Sequence, residues 1–258
     1  NKDKPFCLYI AHAAPHSPMQ GPNEKAIRTE ATLEGDKNSD RPNKEIYKDM
    51  VEELDWSVGR ILETLKKYKL DKNTFVVFFS DNGPVINNGG STGGYRGAKG
   101  APWEGGHRVP GICYMPGTVK GGTMCKQTVM SFDLFPTMLD MANIHYDDSK
   151  KKLDGASLVP LFKGKELSQR LLFWGNGNKT ISVRDGKWKL GRYNQKGKIT
   201  LPLFDLDNDP YEENNMSEQE PELVKRLDEQ ITRWAKSVYS EVPDQFARKV
   251  RRTNKNNT

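Results

Sequence analysis

The sequence has no apolar run near the roughly 20 residues that a bilayer-spanning helix requires. Its strongest run, Thr74 to Phe79, is a fraction of that length, and a membrane-spanning helix is excluded. Cysteine is scarce: Cys7, Cys113 and Cys125 are an odd number with no CxxC spacing, so neither a disulfide framework nor a zinc site is signalled. Only four histidines occur, His12, His16, His107 and His145, and no HExxH pair is among them. The GxSxG nucleophile elbow is absent, as are GxGxxG and GxxxxGK[ST], which leaves nucleotide binding unsupported. The sequence opens at Asn1 with no leader and reaches an apolar run by Phe6, so it reads as the later part of a longer protein.

What is present describes a folded chain. Its 258 residues are ample for one large domain or a large one with a small companion, and 10 Phe, 9 Tyr and 5 Trp lie in short apolar runs that disordered chains lack. Forty Lys and Arg against 34 Asp and Glu give a formal net charge of +6, spread too evenly for a nucleic-acid footprint. Part of the surplus sits in a polar tail, Lys249, Arg251, Arg252 and Lys255. Sequons at Asn178, Asn215 and Asn256 are no more than the Asn, Ser and Thr content yields by chance.

The order of patterns points to an α/β architecture. Phe6 to Ala11 reads as a buried strand ended by Ala14-Pro-His-Ser-Pro18, which places His16 on a loop at a strand's C-terminal end. Residues 19–43 read as a surface excursion. From Lys44 to Lys69 the apolar residues recur at three and four, the stripe of an amphipathic helix. Thr74 to Phe79 is a continuous β-prone run of the kind found in a parallel strand covered on both faces, so strand, helix, strand predicts a mostly parallel sheet flanked by helices. Val109 to Tyr114 predicts a further strand, and Phe132 to Met141 a helix. After about residue 165, short strands alternate with Asn-Gly and Asp-Gly turns, then Pro221 to Val238 returns to helix. The expected organisation is an α/β part over 1–165, a small antiparallel sheet with a helix over 166–240, and a basic tail over 241–258.

Two segments carry candidate chemistry. Asp81 and Asn82 in Ser80-Asp-Asn-Gly-Pro84 are adjacent hard oxygen donors just beyond a strand's carboxyl end, where α/β sheets place ligands and where Ca²⁺ or Mg²⁺ would be held. Asp81-Asn-Gly83 is also good turn chemistry anywhere, and both readings stand. Residues 83–106 hold nine of the 23 glycines, with Arg96 and Lys99 among them. Backbone amides and these cations would suit an oxyanion, while a plain surface loop is the alternative. Trp103-Glu-Gly-Gly-His-Arg108 is costly for a mere spacer, and His107 shares its setting. His12 is read as supporting the fold and His145 as solvated.

Taken in order, these pieces resemble the type I sulfatases of the alkaline phosphatase superfamily. The resemblance rests on Ala14-Pro-His-Ser-Pro18, the long helix, Phe78-Phe-Ser-Asp-Asn-Gly-Pro84, Gly94-Tyr-Arg-Gly-Ala-Lys-Gly100, Trp103-Glu-Gly-Gly-His-Arg-Val-Pro110, the Phe132-Asp-Leu-Phe-Pro-Thr helix and Leu153-Asp-Gly-Ala-Ser-Leu158. Val183-Arg-Asp-Gly-Lys-Trp-Lys189 and Leu203-Phe-Asp-Leu-Asp-Asn-Asp-Pro-Tyr-Glu212 resemble that family's small C-terminal antiparallel domain. The resemblance implies an alkaline phosphatase-like fold and hydrolysis of a sulfate ester of a small molecule or glycan. It further implies Asp81 and Asn82 as calcium ligands, Lys99 holding the sulfate, His16 contacting sulfate and assisting the leaving group, and His107 and Arg96 as substrate contacts. Export or a lysosomal location would follow, whereas oligomeric state would not. The departure is that the family's Cys-x-Pro-Ser-Arg sequence, whose cysteine becomes the formylglycine nucleophile, does not occur here, and this chain alone is expected to be inactive. The competing readings are a phosphodiesterase or phosphonate hydrolase of the same superfamily, and a non-catalytic module binding sulfated polymers.

Overall fold

The computed structural model describes residues 3–22, 41–149, 152–176, 180–195 and 197–240. Most of the excursion read over 19–43, the basic tail over 241–258 and the sequons at Asn178 and Asn256 lie outside the described residues. In chain order the elements are α1 (Asn43–Lys67), β1 (Val76–Phe79), α2 (Glu104–His107), β2 (Gly111–Tyr114), α3 (Leu134–Met141) and α4 (Val159–Phe162). There follow β3 (Leu171–Asn176), β4 (Thr180–Asp185), β5 (Trp188–Gln195), β6 (Lys198–Thr200), β7 (Leu203–Asp205) and α5 (Pro221–Ser240). They fall into two compact units, one from Asn1–Gly93 with His107–Ser168 and the other from Gly94–Gly106 with Gln169–Thr258. The glycine-rich segment Gly94–Gly106 thus packs with the sheet that follows residue 168, where the sequence pattern grouped it with the first part.

In the first unit, α1 buries Ile46, Met50 and Leu65, three members of one helical face. Its C-terminus closes with Lys69 in the left-handed region (φ 58), Lys69 N–H bonding the carbonyl of Lys66 and Leu70 N–H that of Leu65. That is the Schellman pattern with lysine where glycine is usual. Among the described residues β1 pairs antiparallel with β2, Val76 opposite Tyr114 and Phe79 opposite Gly111, and no parallel neighbour of β1 lies among them. A continuous apolar run reports that a strand is covered, not which way its neighbour runs, so direction was beyond that signal. Phe6 to Ala11, expected as a buried strand, has no regular structure, and Leu8 and Tyr9 are exposed. β-propensity measures fit against neighbouring strands, and this segment has no partner strand among the described residues.

A polar knot ties the α3 region to the segment before α4. Fully buried Asp133 accepts the N–H of Met130 (2.7 Å) and of Ala156 (2.9 Å) on separate carboxylate oxygens. Thr137 Oγ1 donates to the Asp133 carbonyl (2.6 Å) and accepts from Leu158 N–H (2.9 Å).

The second unit is a five-stranded antiparallel sheet ordered β3-β4-β5-β6, with β7 also on β5. Side chains alternate across β5, and both faces are covered. One face carries Leu190, packed with Ile181, Val183, Leu203 and, from α5, Leu227 and Ile231. Arg192 on the same face pairs with Asp228 of α5 (2.5 Å). The other face carries Lys189 and Tyr193, which meet Glu104 and Trp103 of the glycine-rich segment.

Candidate functional site

β1 ends at Phe79 and delivers Ser80-Asp81-Asn82-Gly83 directly. Ser80 Oγ donates to the Asn82 carbonyl (3.0 Å), folding the tetrapeptide tightly, and Asn82 Nδ2 donates to the Gly83 carbonyl (2.9 Å). With its nitrogen so used, Asn82 keeps Oδ1 as an acceptor, next to the exposed carboxylate of Asp81. Both the turn and the oxygen-donor readings of this tetrapeptide therefore describe the same local geometry.

In the same unit the His16 loop is a turn closed by His16 N–H on the Ala13 carbonyl (2.8 Å). His16 Nδ1 lies 2.6 Å from the Ser17 carbonyl oxygen. A carbonyl can only accept, so Nδ1 carries the proton and Nε2 is the nitrogen that faces outward chemistry. Asn88 Nδ2 donates to Ser17 Oγ (2.8 Å), tying the His16 loop to the loop that follows Asp81 and Asn82. His107 ends α2 half-buried, whereas His12 and His145 are exposed. The fold-supporting role read for His12 has no packing behind it.

Within the second unit, Lys99 sits at the tip of a turn closed by Ala101 N–H on the Ala98 carbonyl (2.8 Å), with Gly100 at φ 82. Positive φ at the third position is what a type II turn demands of its glycine. Lys99 is exposed and has no partner among the described residues. Arg96 is differently placed: its guanidinium lies 3.6 Å from the Trp103 ring centroid and NH1 donates to the Glu212 carbonyl (2.9 Å). Much of its bonding is therefore internal to the unit.

The glycine-rich segment is not a loose surface loop. A Cβ on Gly105 would stand 2.6 Å from the carbonyl oxygens of Arg96 and Gly97, and one on Gly106 would stand 2.1 Å from that of Ala101. These two glycines are demanded by close backbone packing, a reason that neither the oxyanion reading nor the surface-loop reading supplied. A further group was missed altogether: Lys189, Glu104 and Glu212, whose side chains are 1%, 3% and 0% exposed. The available signal was a lysine alternating with Trp188 and Leu190 on a strand whose two faces are both covered.

Among the described residues no group of three or more His, Cys, Asp and Glu is arranged to hold a metal. Asp81 and Asn82 nevertheless fit as two hard oxygen ligands of the six to eight that calcium takes. The cysteines do not fit a formylglycine precursor. Cys7 precedes Leu-Tyr-Ile, Cys113 precedes Tyr-Met-Pro, and Cys125 precedes Lys-Gln-Thr. Burial, with Cys125 nearby, also pushes the Cys113 thiol above its ordinary range, away from the reactive thiolate.

The described fold, an α/β unit and an antiparallel sheet unit, is shared with solved structures of alkaline phosphatase-like fold. The crystal structure of Ps i-CgsB in complex with k-i-k-neocarrahexaose superposes with a TM-score of 0.76 at 28% identity, over 91% of this chain and 51% of that one. The family described as "Sulfatase" matches residues 1–144, and that described as "N-sulphoglucosamine sulphohydrolase, C-terminal" matches residues 99–237. The chain belongs to the sulfatase family. It is 34% identical over 190 residues to N-acetylgalactosamine-6-sulfatase of Canis lupus familiaris, an alignment covering 72% of this chain and 34% of the relative. Steryl-sulfatase of Homo sapiens is 29% identical over 293 residues, covering 96% of this chain and 47% of the relative. The chain spans half or less of the length of these relatives.

Proposed function

We propose that the protein carrying this chain is a sulfuric ester hydrolase that removes sulfate from a glycan or aryl ester. Asp81 and Asn82 supply two ligands of a calcium ion, which when bound polarises the sulfate oxygens. Lys99, whose ammonium has no partner among the described residues, would meet the sulfate where charge develops as the ester bond breaks. His16, oriented through Nδ1 on the Ser17 carbonyl, presents Nε2, and the doubly protonated imidazolium would give its Nε2 proton to the departing alkoxide and return to the neutral Nδ1–H form. His107 and Arg96 are proposed substrate contacts, Arg96 through the N–H groups not spent on Glu212. The observation that carries the reading is the Asp81–Asn82 oxygen pair at the end of β1, tied through Asn88 and Ser17 to the His16 loop.

Asn82, an oxygen donor, follows Asp81, and this favours calcium over the softer metals that histidine would select. The glycan class draws support from the galactosamine-sulfate and neocarrahexaose names borne by relatives. Export or lysosomal delivery is proposed on the same family grounds. Among the described residues no helix is long and apolar enough to cross a membrane.

The test is sulfate release from an aryl sulfate by the intact protein. Asp81→Ala is expected to abolish turnover and lower calcium affinity, because a hard-cation site poorly tolerates loss of an anionic ligand. Full activity in Asp81→Ala, indifferent to chelator, would overturn the assignment.

A further inference from the structure

We infer that Glu104, Lys189 and Glu212 are positioning residues that fix the turn bearing Lys99, an inference that rests on the sulfate-binding role proposed for that lysine. Lys189 Nζ lies 2.9 Å from Glu104 Oε1 and 2.9 Å from Glu212 Oε1, while Arg184 NH1 stands 3.9 Å from Glu104 Oε2. Two acids and two bases thus neutralise one another inside the second unit. Glu212 holds the glycine-rich segment by three routes. Its Oε2 accepts the Glu104 N–H (2.7 Å), its carbonyl accepts Arg96 (2.9 Å), and Lys189 couples its Oε1 to the Glu104 carboxylate.

Glu212 is itself immobilised. It stands at φ 59, a left-handed conformation unusual for a glutamate. Asp209 keeps the turn there, its carboxylate accepting the N–H groups of Glu213 (3.1 Å) and Asn214 (2.8 Å). Asn215 Oδ1 then accepts from Leu203 N–H (3.0 Å), which anchors the turn to β7. Within the held segment, Gly105 N–H bonds the Arg96 carbonyl (2.8 Å) and Ala101 N–H the Ala98 carbonyl (2.8 Å), so displacement of Glu104 is passed through a closed backbone ring to Lys99.

Stability alone is a poor reason for this cluster. Apolar residues of similar volume stabilise a buried site as well as an ion cluster or better, because they avoid the cost of removing charges from water. What an ion cluster with directional partners adds is a single allowed register. A cation meant to meet sulfate oxygens needs such a register, since errors near 1 Å cost on the order of 100-fold in rate.

The experiment uses the intact protein with Glu212→Gln, Lys99→Ala and the double variant, reading kcat and KM on an aryl sulfate together with amide hydrogen exchange. Glu212→Gln is expected to lower kcat/KM by about 10- to 100-fold, yet to add little in the Lys99→Ala background. Exchange should accelerate at Glu104, Gly105 and Gly106 and stay unchanged in the centres of β4 and β5. Effects of Glu212→Gln and Lys99→Ala that simply multiply, or unaltered exchange across 104–106, would overturn the inference. Should Glu212→Gln not fold, Glu212→Asp keeps the charge, shortens its reach, and is expected to give a smaller loss with the same dependence on Lys99. Should the wild type release no sulfate, the proposed activity falls, and the exchange measurement still decides whether the cluster holds the segment.

Discussion

At the scale of single residues, buried polar groups with fixed partners explain motifs that sequence reading took only as family likeness. Asp133 in Phe132-Asp-Leu-Phe-Pro-Thr fastens two separated backbone N–H groups. Asp133→Ala would leave both donors unpaired, a loss of about 3 kcal/mol in unfolding free energy; a shift in denaturant midpoint equivalent to under about 1 kcal/mol would contradict it. Asp205 gives a pH prediction. Burial raises its carboxyl, but hydrogen bonds from Lys187, Asn208 and the Asp207 N–H outweigh burial and hold it below the ordinary carboxylate value. A lowered folded pKa means stability that is present above the unfolded value of about 3.9 and lost as pH falls through the folded one. Wild type should therefore exceed Asp205→Asn in melting temperature near neutrality, with the gap closing below about pH 4; a gap independent of pH would refute this. His16 and Lys99, read from the sequence as loop residues, both stand in turns. The Nδ1 contact of His16 is with its own neighbour Ser17, whereas the cluster around Lys189 joins positions 104, 189 and 212 and leaves no local trace in the sequence.

Elements were read well wherever one face had to be buried. The period of α1 and α5 and the alternation of β3 to β5 follow directly from which side chains meet the core. Ile231 is fully buried against the sheet, so Ile231→Ala should cost about 2–5 kcal/mol and free α5 before the rest of the unit, as hydrogen exchange along Pro221–Ser240 would report. Strand direction was not legible. β1 carries the continuous apolar run that suits a parallel strand, yet its partner among the described residues is antiparallel β2. Phe6 to Ala11 has strand composition but no neighbouring strand among the described residues, and composition cannot reveal that. The glycine-rich segment misled in another way. Gly105 and Gly106 answer to backbone crowding by Arg96, Gly97 and Ala101, so a glycine cluster signalled tight packing as much as access to a ligand.

For the whole molecule, two compact units carry the proposed groups, with Asp81, Asn82 and His16 in one and Lys99 and Arg96 in the other. The Cys-x-Pro-Ser-Arg sequence does not occur in these 258 residues, so they alone are expected to show no saturable hydrolysis of an aryl sulfate with calcium present. Saturable turnover lost in Lys99→Ala would show that a different group attacks. The central claim, that the protein cleaves sulfate esters, is tested most directly by offering the intact protein 4-nitrophenyl sulfate beside bis-4-nitrophenyl phosphate and measuring inorganic sulfate. The account predicts stoichiometric sulfate release that disappears in Lys99→Ala, with the phosphate diester cleaved far more slowly. Cleavage of the diester with no sulfate released would contradict it and assign the site to phosphodiester chemistry.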